Sequence, residues 1–153
     1  MFRILLIWSI TLFLPCILIA QVKPITFEEL ENAEPRPVLV MITTKWCKYC
    51  HAMKNNVLKN KEVSELITNK YHVLFLDAEE RKDIRFNGRV FKYKPSGSNT
   101  GINELAVELG MIRGQISYPS ISILDEKKNI IYQKDGYLKA KELLFLLESI
   151  AER

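Results

Sequence analysis

The chain has 153 residues, with 22 Lys and Arg against 18 Asp and Glu, a net charge of +4 and 48% hydrophobic residues. The small basic excess is spread out, and its densest clusters (residues 59–61 and 79–83) mix with polar or opposite-sign neighbours, which describes a solvated face and not a nucleic-acid patch. Three cysteines are too few for a disulfide framework, so the fold must rest on an apolar core.

Met1-Phe2-Arg3 and the apolar run of residues 4–14 read as the basic and hydrophobic regions of an export signal. Leu18-Ile19-Ala20 before Gln21 offers a cleavage point ending in a small residue. Residues 1–20 are therefore expected to be a signal peptide. A retained N-terminal anchor is the alternative, because the run approaches the ~17 residues needed to span a bilayer. Pro15 argues against lipid attachment at Cys16. On either reading, residues 21–153 are expected to leave the cytoplasm, and about 130 residues suit a single domain.

Thr26 and Glu29 have capping-box spacing, which predicts a short helix carrying Phe27, Leu30 and Ala33. Pro35 and Pro37 end it. Residues 38–42 form a β-branched apolar run that predicts a buried strand. Trp46-Cys47-Lys48-Tyr49-Cys50 follows, and then Met53, Val57 and Leu58 recur at helical spacing, so the cysteines open a helix running to about Leu58. That placement has a chemical meaning. Unpaired N–H groups and the dipole at a helix start stabilise a thiolate, and Lys48 and His51 add positive or titratable charge nearby. A thiolate with a second thiol one turn away is equipped for dithiol–disulfide exchange.

Residues 61–68 predict another helical piece, and residues 71–76 a strand ending at Asp77. Two strands joined by a helical crossover make a parallel βαβ unit. Asn87-Gly88, between Ile84-Arg85-Phe86 and Val90-Phe91-Lys92-Tyr93, is a strong hairpin signal. Residues 94–101 read as a turn-rich loop. The aromatics of this excursion suggest a flap shaping a partner site, against the alternative of surface decoration. Residues 103–109 predict a short helix. Residues 120–124 and 130–133 are expected to pair across a turn, and residues 139–152 form a helix with a Leu143, Leu144, Leu147 and Ile150 stripe.

With those elements in order, Trp-Cys-x-x-Cys after the first parallel strand resembles the thioredoxin active site, and Tyr118-Pro119 resembles that family's cis-proline position. The likeness covers most of the chain beyond residue 20, with residues 79–101 as an insertion. More narrowly, Asp77-Ala78-Glu79-Glu80, Phe86-Asn87-Gly88, Glu104-Leu105-Ala106, Ser117-Tyr118-Pro119 and Leu124-Asp125-Glu126 resemble exported thioredoxin-like proteins common in Bacteroidetes. The resemblance implies an α/β thioredoxin fold: a central mixed sheet built βαβ then ββα, flanked by helices, with a hairpin and loop inserted before the helix that precedes the cis-proline.

It also implies an exported, periplasmic or otherwise secreted thiol–disulfide oxidoreductase acting as a reductase. Cys47 would be the exposed attacking cysteine and Cys50 the resolving one. Trp46, Tyr118 and Pro119 would bind substrate, and Lys48, Tyr49 and His51 would modulate the pair. No cofactor beyond the Cys47–Cys50 disulfide is implied, and no metal. The expected partners are exported proteins with thiols or disulfides and a membrane electron donor or acceptor, with no nucleic acid. The membrane itself enters only through the N-terminal anchor.

Three departures bear on chemistry. Met41 stands where thioredoxin carries a buried Asp, so Cys50 needs another base or water, with His51 a candidate. Lys-Tyr replaces Gly-Pro between the cysteines, and Asn103 stands where a His is expected in the narrower group. Three rival classes share the cysteines. Cys47-Lys48-Tyr49-Cys50-His51 matches a c-type haem attachment pattern. Zinc could draw on Cys47, Cys50, His51 and His72, and a thioredoxin-fold binding module would keep the pair without turnover. The strands and Tyr118-Pro119 argue against haem, the lack of paired spacing at His72 against zinc, and an intact CxxC at a helix start against a pair kept merely for packing.

Overall fold

β1 (Val38–Thr43) is buried at every position, because it is hydrogen-bonded on both sides and covered on both faces. A computed structural model describes residues 22–152; the signal-or-anchor reading of residues 1–20 and Cys16 lies outside them. β1 pairs in parallel with β2 (His72–Asp77) and antiparallel with β9 (Ser120–Leu124), and β9 pairs antiparallel with β10 (Ile130–Asp135). The sheet order is β10-β9-β1-β2.

Alternation along β1 divides the core into two layers. Leu39 and Met41 point to one side, where they join Cys47, Cys50, Met53, Val63, Ile67, Leu143 and Leu147. Val38, Val40 and Ile42 point to the other, with Phe27, Leu74, Leu76, Phe86, Phe91 and Leu105. The first layer is covered by α2 (Lys48–Ala52), the π-helical turn Met53–Val57, α3 (Lys61–Lys70) and α5 (Ala140–Ala151). The second is covered by α1 (Phe27–Glu31), α4 (Glu104–Gly110) and the excursion between β2 and α4. This is a mixed α/β sheet flanked by helices, built βαβ then ββα, and it matches the thioredoxin fold.

Local chemistry explains the element ends. Thr26 and Glu29 form the expected capping box: the Glu29 N–H donates to Thr26 Oγ1 at 3.1 Å, and the Thr26 N–H donates to Glu29 Oε2 at 2.7 Å. Ala33 falls beyond α1, whose C-cap is Asn32. The helix expected from the cysteines to Leu58 is α-helical only to Ala52 and then widens into the π-turn.

The excursion differs from its sequence reading. Asn87 and Gly88, with φ of 51° and 73°, turn β3 (Ile84–Phe86) into β4 (Arg89–Phe91) as expected of Asn-Gly. The stretch read as a loop instead contains a second hairpin, β5 (Tyr93–Pro95) on β6 (Gly101–Asn103). Gly101 permits it, since a Cβ there would collide with the Tyr93 ring. Nor are the hairpin's phenylalanines a flap. Phe86 and Phe91 are buried in the second layer, with Phe86 edge-on to Phe27 at 5.6 Å. A further two-residue pair, β7 (Met111–Ile112) with β8 (Gln115–Ile116), turns through Arg113 and Gly114 at positive φ.

Tyr71 ties α3 to α5. Its buried hydroxyl donates to the Leu147 carbonyl at 2.6 Å, and burial pushes the phenol up to about 12. A phenol that binds its proton more tightly when folded adds stability below the ordinary pKa of 10, and this is lost as pH climbs through the folded value. Unfolding free energy should fall by about 2 kcal/mol between pH 10 and pH 12 from this group. Tyr71→Phe should cost about 1 kcal/mol at pH 7 and flatten that alkaline decline. Urea titrations of both proteins at the three pH values check it.

Candidate functional site

β1 ends at Thr43, and Thr44-Lys45-Trp46 carries the chain over the sheet edge to Cys47, the N-cap of α2. The cap is the cysteine itself: the Cys50 N–H donates to Cys47 Sγ at 3.1 Å. The two cysteines are joined, with an S–S distance of 2.04 Å and Cα atoms 5.2 Å apart. The His51 N–H donates to the Cys47 carbonyl, so the cysteine turn runs straight into the helix.

One expectation needs correction. Cys47 is not the exposed partner; it is 4% exposed and Cys50 1%. As an N-cap bonded to Cys50, the Cys47 sulfur turns inward to take a helix N–H, and the residue joins Met41 and Met53 in the first core layer. Exposure belongs to its neighbours instead, Trp46 at 66% and Tyr49 at 68%.

Trp46 is held from two sides. Its indole N–H donates to Glu79 Oε1 at 3.1 Å, and its ring meets Tyr118 edge-on at 6.0 Å. Tyr118 precedes Pro119 through a cis peptide bond, and the buried Pro119 accepts the Gly136 N–H at 2.8 Å. Burial, then Glu79 and Asp77, raise the Tyr118 phenol above its usual value. Tyr49 lies 6.4 Å from Tyr137, so an aromatic rim spans the disulfide between Tyr118 and Tyr137. Lys48 is exposed beside it.

Four groups complete the surroundings. Lys45 pairs with Asp77 at 3.8 Å. His51 is exposed and its Nε2 is bound to the Lys45 carbonyl at 2.8 Å; since a carbonyl only accepts, that nitrogen carries a proton. Met41, in place of a carboxylate, pairs in register with Phe75 and is fully buried. Asn103 is buried as the N-cap of α4, accepting from the Leu105 N–H and donating to the carbonyls of Glu80 and Lys82, which makes its role structural.

Sequence reasoning thus brought Trp46, Cys47, Cys50, Tyr118 and Pro119 together, with Lys48, Tyr49 and His51 at the margin. It missed Glu79 and Asp77. The signal for Asp77 lay in the parallel pairing, which sets it opposite Thr43 at the strand ends that carry the site. The residues that the haem and zinc readings would use have other partners in this structure. The cysteines are bonded to each other, His51 to Lys45, and His72 to the Glu34 carbonyl. Among the described residues no group of three or more His, Cys, Asp or Glu is placed to hold a metal.

The family described as a thioredoxin-like domain matches residues 26–151. No curated protein matches the chain. Among solved structures, a thioredoxin from Thermus thermophilus is 18% identical with a TM-score of 0.59, over 85% of this chain and 87% of that one. A thioredoxin-fold protein from Helicobacter pylori is 22% identical with a TM-score of 0.58, over 86% and 74%. The exposed lipoprotein thioredoxin from Streptococcus pneumoniae is 16% identical with a TM-score of 0.51, over 78% and 89%. These likenesses are of fold.

Glu79→Gln keeps an acceptor for the Trp46 indole and removes a charge beside Tyr118. The Tyr118 phenol should then titrate at lower pH than in the parent, yet stay above the ordinary value because burial is the larger cause. A tyrosinate absorbance titration of the two proteins, with Tyr118→Phe to identify the transition, reads this directly. An unmoved Tyr118 transition would mean that the carboxylate does not act on the rim.

Proposed function

This chain belongs to the thioredoxin-like domain family, and we propose that it is an exported thiol–disulfide oxidoreductase that reduces disulfides in protein substrates. The Cys47–Cys50 pair in a thioredoxin-like fold supports thiol–disulfide oxidoreductase activity. The carrying observation is the Cys50 N–H directed at Cys47 Sγ. A donor already aimed at that sulfur stabilises a thiolate once the disulfide opens.

In the proposed cycle the Cys47 thiolate attacks one sulfur of a substrate disulfide, forming a mixed disulfide and releasing the other sulfur as a thiolate. Cys50 loses its proton and attacks Cys47 Sγ; the bond to the substrate breaks and the second thiolate leaves. The substrate has gained two electrons and the chain holds the Cys47–Cys50 disulfide. A membrane donor then returns two electrons by exchange in the opposite sense. Trp46, Tyr49 and Tyr118 form an aromatic surface for the segment that carries the substrate cysteine. Pro119 has no N–H, and the Tyr118 backbone beside it is suited to pair with an extended chain.

Direction rests on two arguments. The likeness to thioredoxin favours reduction. The cationic Lys48 favours oxidation in principle, but it is exposed and its charge is screened by water, so its effect is small. Export rests on the signal-like residues 1–20 and on the likeness to an exposed lipoprotein thioredoxin.

Equilibration against a glutathione series should place the reduction potential near thioredoxin's, about −270 mV. A value near −120 mV would instead make the chain an oxidant. Cys47→Ser should abolish exchange, whereas Cys50→Ser should accumulate mixed disulfides with exported proteins, seen as reducible adducts on non-reducing gels. A pair that never titrates, with no adducts, would leave a binding module.

A further inference from the structure

The exchange proposed above requires Cys50 to ionise inside an apolar layer, with Met41 where a carboxylate would serve as base. His51, the base suggested by sequence, is exposed and committed to the Lys45 carbonyl. A different group stands closer to the need. Lys54 lies four residues after Cys50, on the same helical face, at the second position of the π-turn. Its stem runs inward, so that Nζ donates to Thr43 Oγ1 at 3.5 Å and sits 4.2 Å from the centre of the Phe75 ring. Phe75 pairs in register with Met41, and both pack in the layer that contains Cys50.

Both Lys54 contacts are uncharged. The charged groups around it are few. From β2, Asp77 acts on it, but that carboxylate is paired with Lys45 from the loop after β1. From α2 the titratable neighbour is His51, turned away to Lys45. α5 meets the π-turn, and the residues it buries in this layer, Leu143, Leu147 and Ile150, are apolar. Lys54 is thus a half-buried cation with no carboxylate paired to it within 4.0 Å among the described residues, and burial lowers its pKa more than Asp77 raises it. The ionisable group one turn earlier on its helix is Cys50, which carries charge only when its thiol ionises.

We propose that the Lys54 ammonium is the charge that lets Cys50 ionise and attack during resolution of the mixed disulfide. The Cys50 proton leaves to water, and the thiolate forms on the residue one helical turn before Lys54, whose flexible four-carbon stem can bring Nζ towards it. The thiolate then bonds to Cys47 Sγ and the substrate sulfur departs with the electron pair of the broken bond. Lys54 itself takes no part in bond making. In the opposite direction it receives Cys50 as the leaving thiolate.

The inference rests on the exchange reading, and one experiment separates the two. The reduced chain is mixed with Ellman's reagent and the coloured thiolate is followed by stopped flow. Its first release reports the Cys47 attack and depends on reagent concentration. Its second release, independent of concentration, reports Cys50 resolving the mixed disulfide. Lys54→Met should slow the second release about tenfold at pH 7 and move its pH midpoint up by about one unit. The first release should change by less than about twofold, since its sulfur is served by the Cys50 N–H. Lys54→Arg, which keeps the charge, should restore the second release. An unchanged second release in Lys54→Met, or no recovery in Lys54→Arg, overturns the role of Lys54 alone. A parent chain without two releases overturns the exchange reading as well.

Discussion

The site depends on the burial and register of β1. This strand is hydrogen-bonded to β2 on one edge and β9 on the other, and both of its faces are covered. A slip of one residue would carry Met41 into the Phe27 layer and Ile42 into the cysteine layer, so both clusters resist it. Because β9 runs antiparallel to β1, Ser120 at the start of β9 stands opposite Ile42 near the end of β1. That pairing delivers Tyr118-Pro119 to the edge where Cys47 begins. The parallel β2 ends at the same edge, which brings Asp77 opposite Thr43. Residues more than seventy positions apart therefore meet because three strand ends coincide.

Electrostatics at that edge are layered. Deepest is an apolar floor, in which Met41 and Phe75 sit side by side and Cys50 is nearly inaccessible. A carboxylate placed there would need a partner or a proton at neutral pH, since an isolated buried charge is costly. The chain instead places its acids one step outward, with Asp77 on Lys45 and Glu79 on the Trp46 indole. With its acids placed outward, the chain leaves the Lys54 ammonium over the Phe75 ring, which packs against the layer that contains Cys50. The disulfide form, in which neither sulfur carries charge, is the state in which Lys54 lacks a paired acid.

Much of the fold was legible in the sequence, for identifiable reasons. The capping box at Thr26, the Asn87-Gly88 turn, the apolar run of β1 and the leucine stripe of α5 each follow from local rules, and each element formed where expected. So did the joining of Trp46, Cys47 and Cys50 with Tyr118 and Pro119, because the strand–CxxC–helix order and the Tyr-Pro before a hairpin fix their places. What escaped was non-local or weakly patterned. The β5–β6 pairing hides in a segment rich in Pro, Ser and Gly, whose composition reads as loop. The β7–β8 turn uses Arg113 at positive φ, which no residue preference announces. The π-turn leaves hydrophobic spacing almost unchanged, so Met53, Val57 and Leu58 face the core as an α-helix would have placed them. The inward turn of Cys47 follows from the sulfur acting as a cap and a disulfide partner, which spacing cannot express.

The excursion between β2 and α4 acquires a different meaning from the flap its aromatics suggested. It leaves the sheet at Ala78, whose carbonyl accepts the Asn103 N–H at 2.8 Å, so the segment closes on itself where it began. The Asn103 side chain then donates to the Glu80 and Lys82 carbonyls. Glu79 lies between those anchored points, with its own N–H given to Asp77 Oδ1 at 3.0 Å. The backbone of the residue that holds Trp46 is therefore fixed on both sides. Phe86 and Phe91, buried against Phe27 and its neighbours, make the fixing rigid by giving the excursion its own share of the core. Its connection to the redox pair runs through Glu79 to the Trp46 indole, and a segment remote from the disulfide thereby sets the position of the rim beside it.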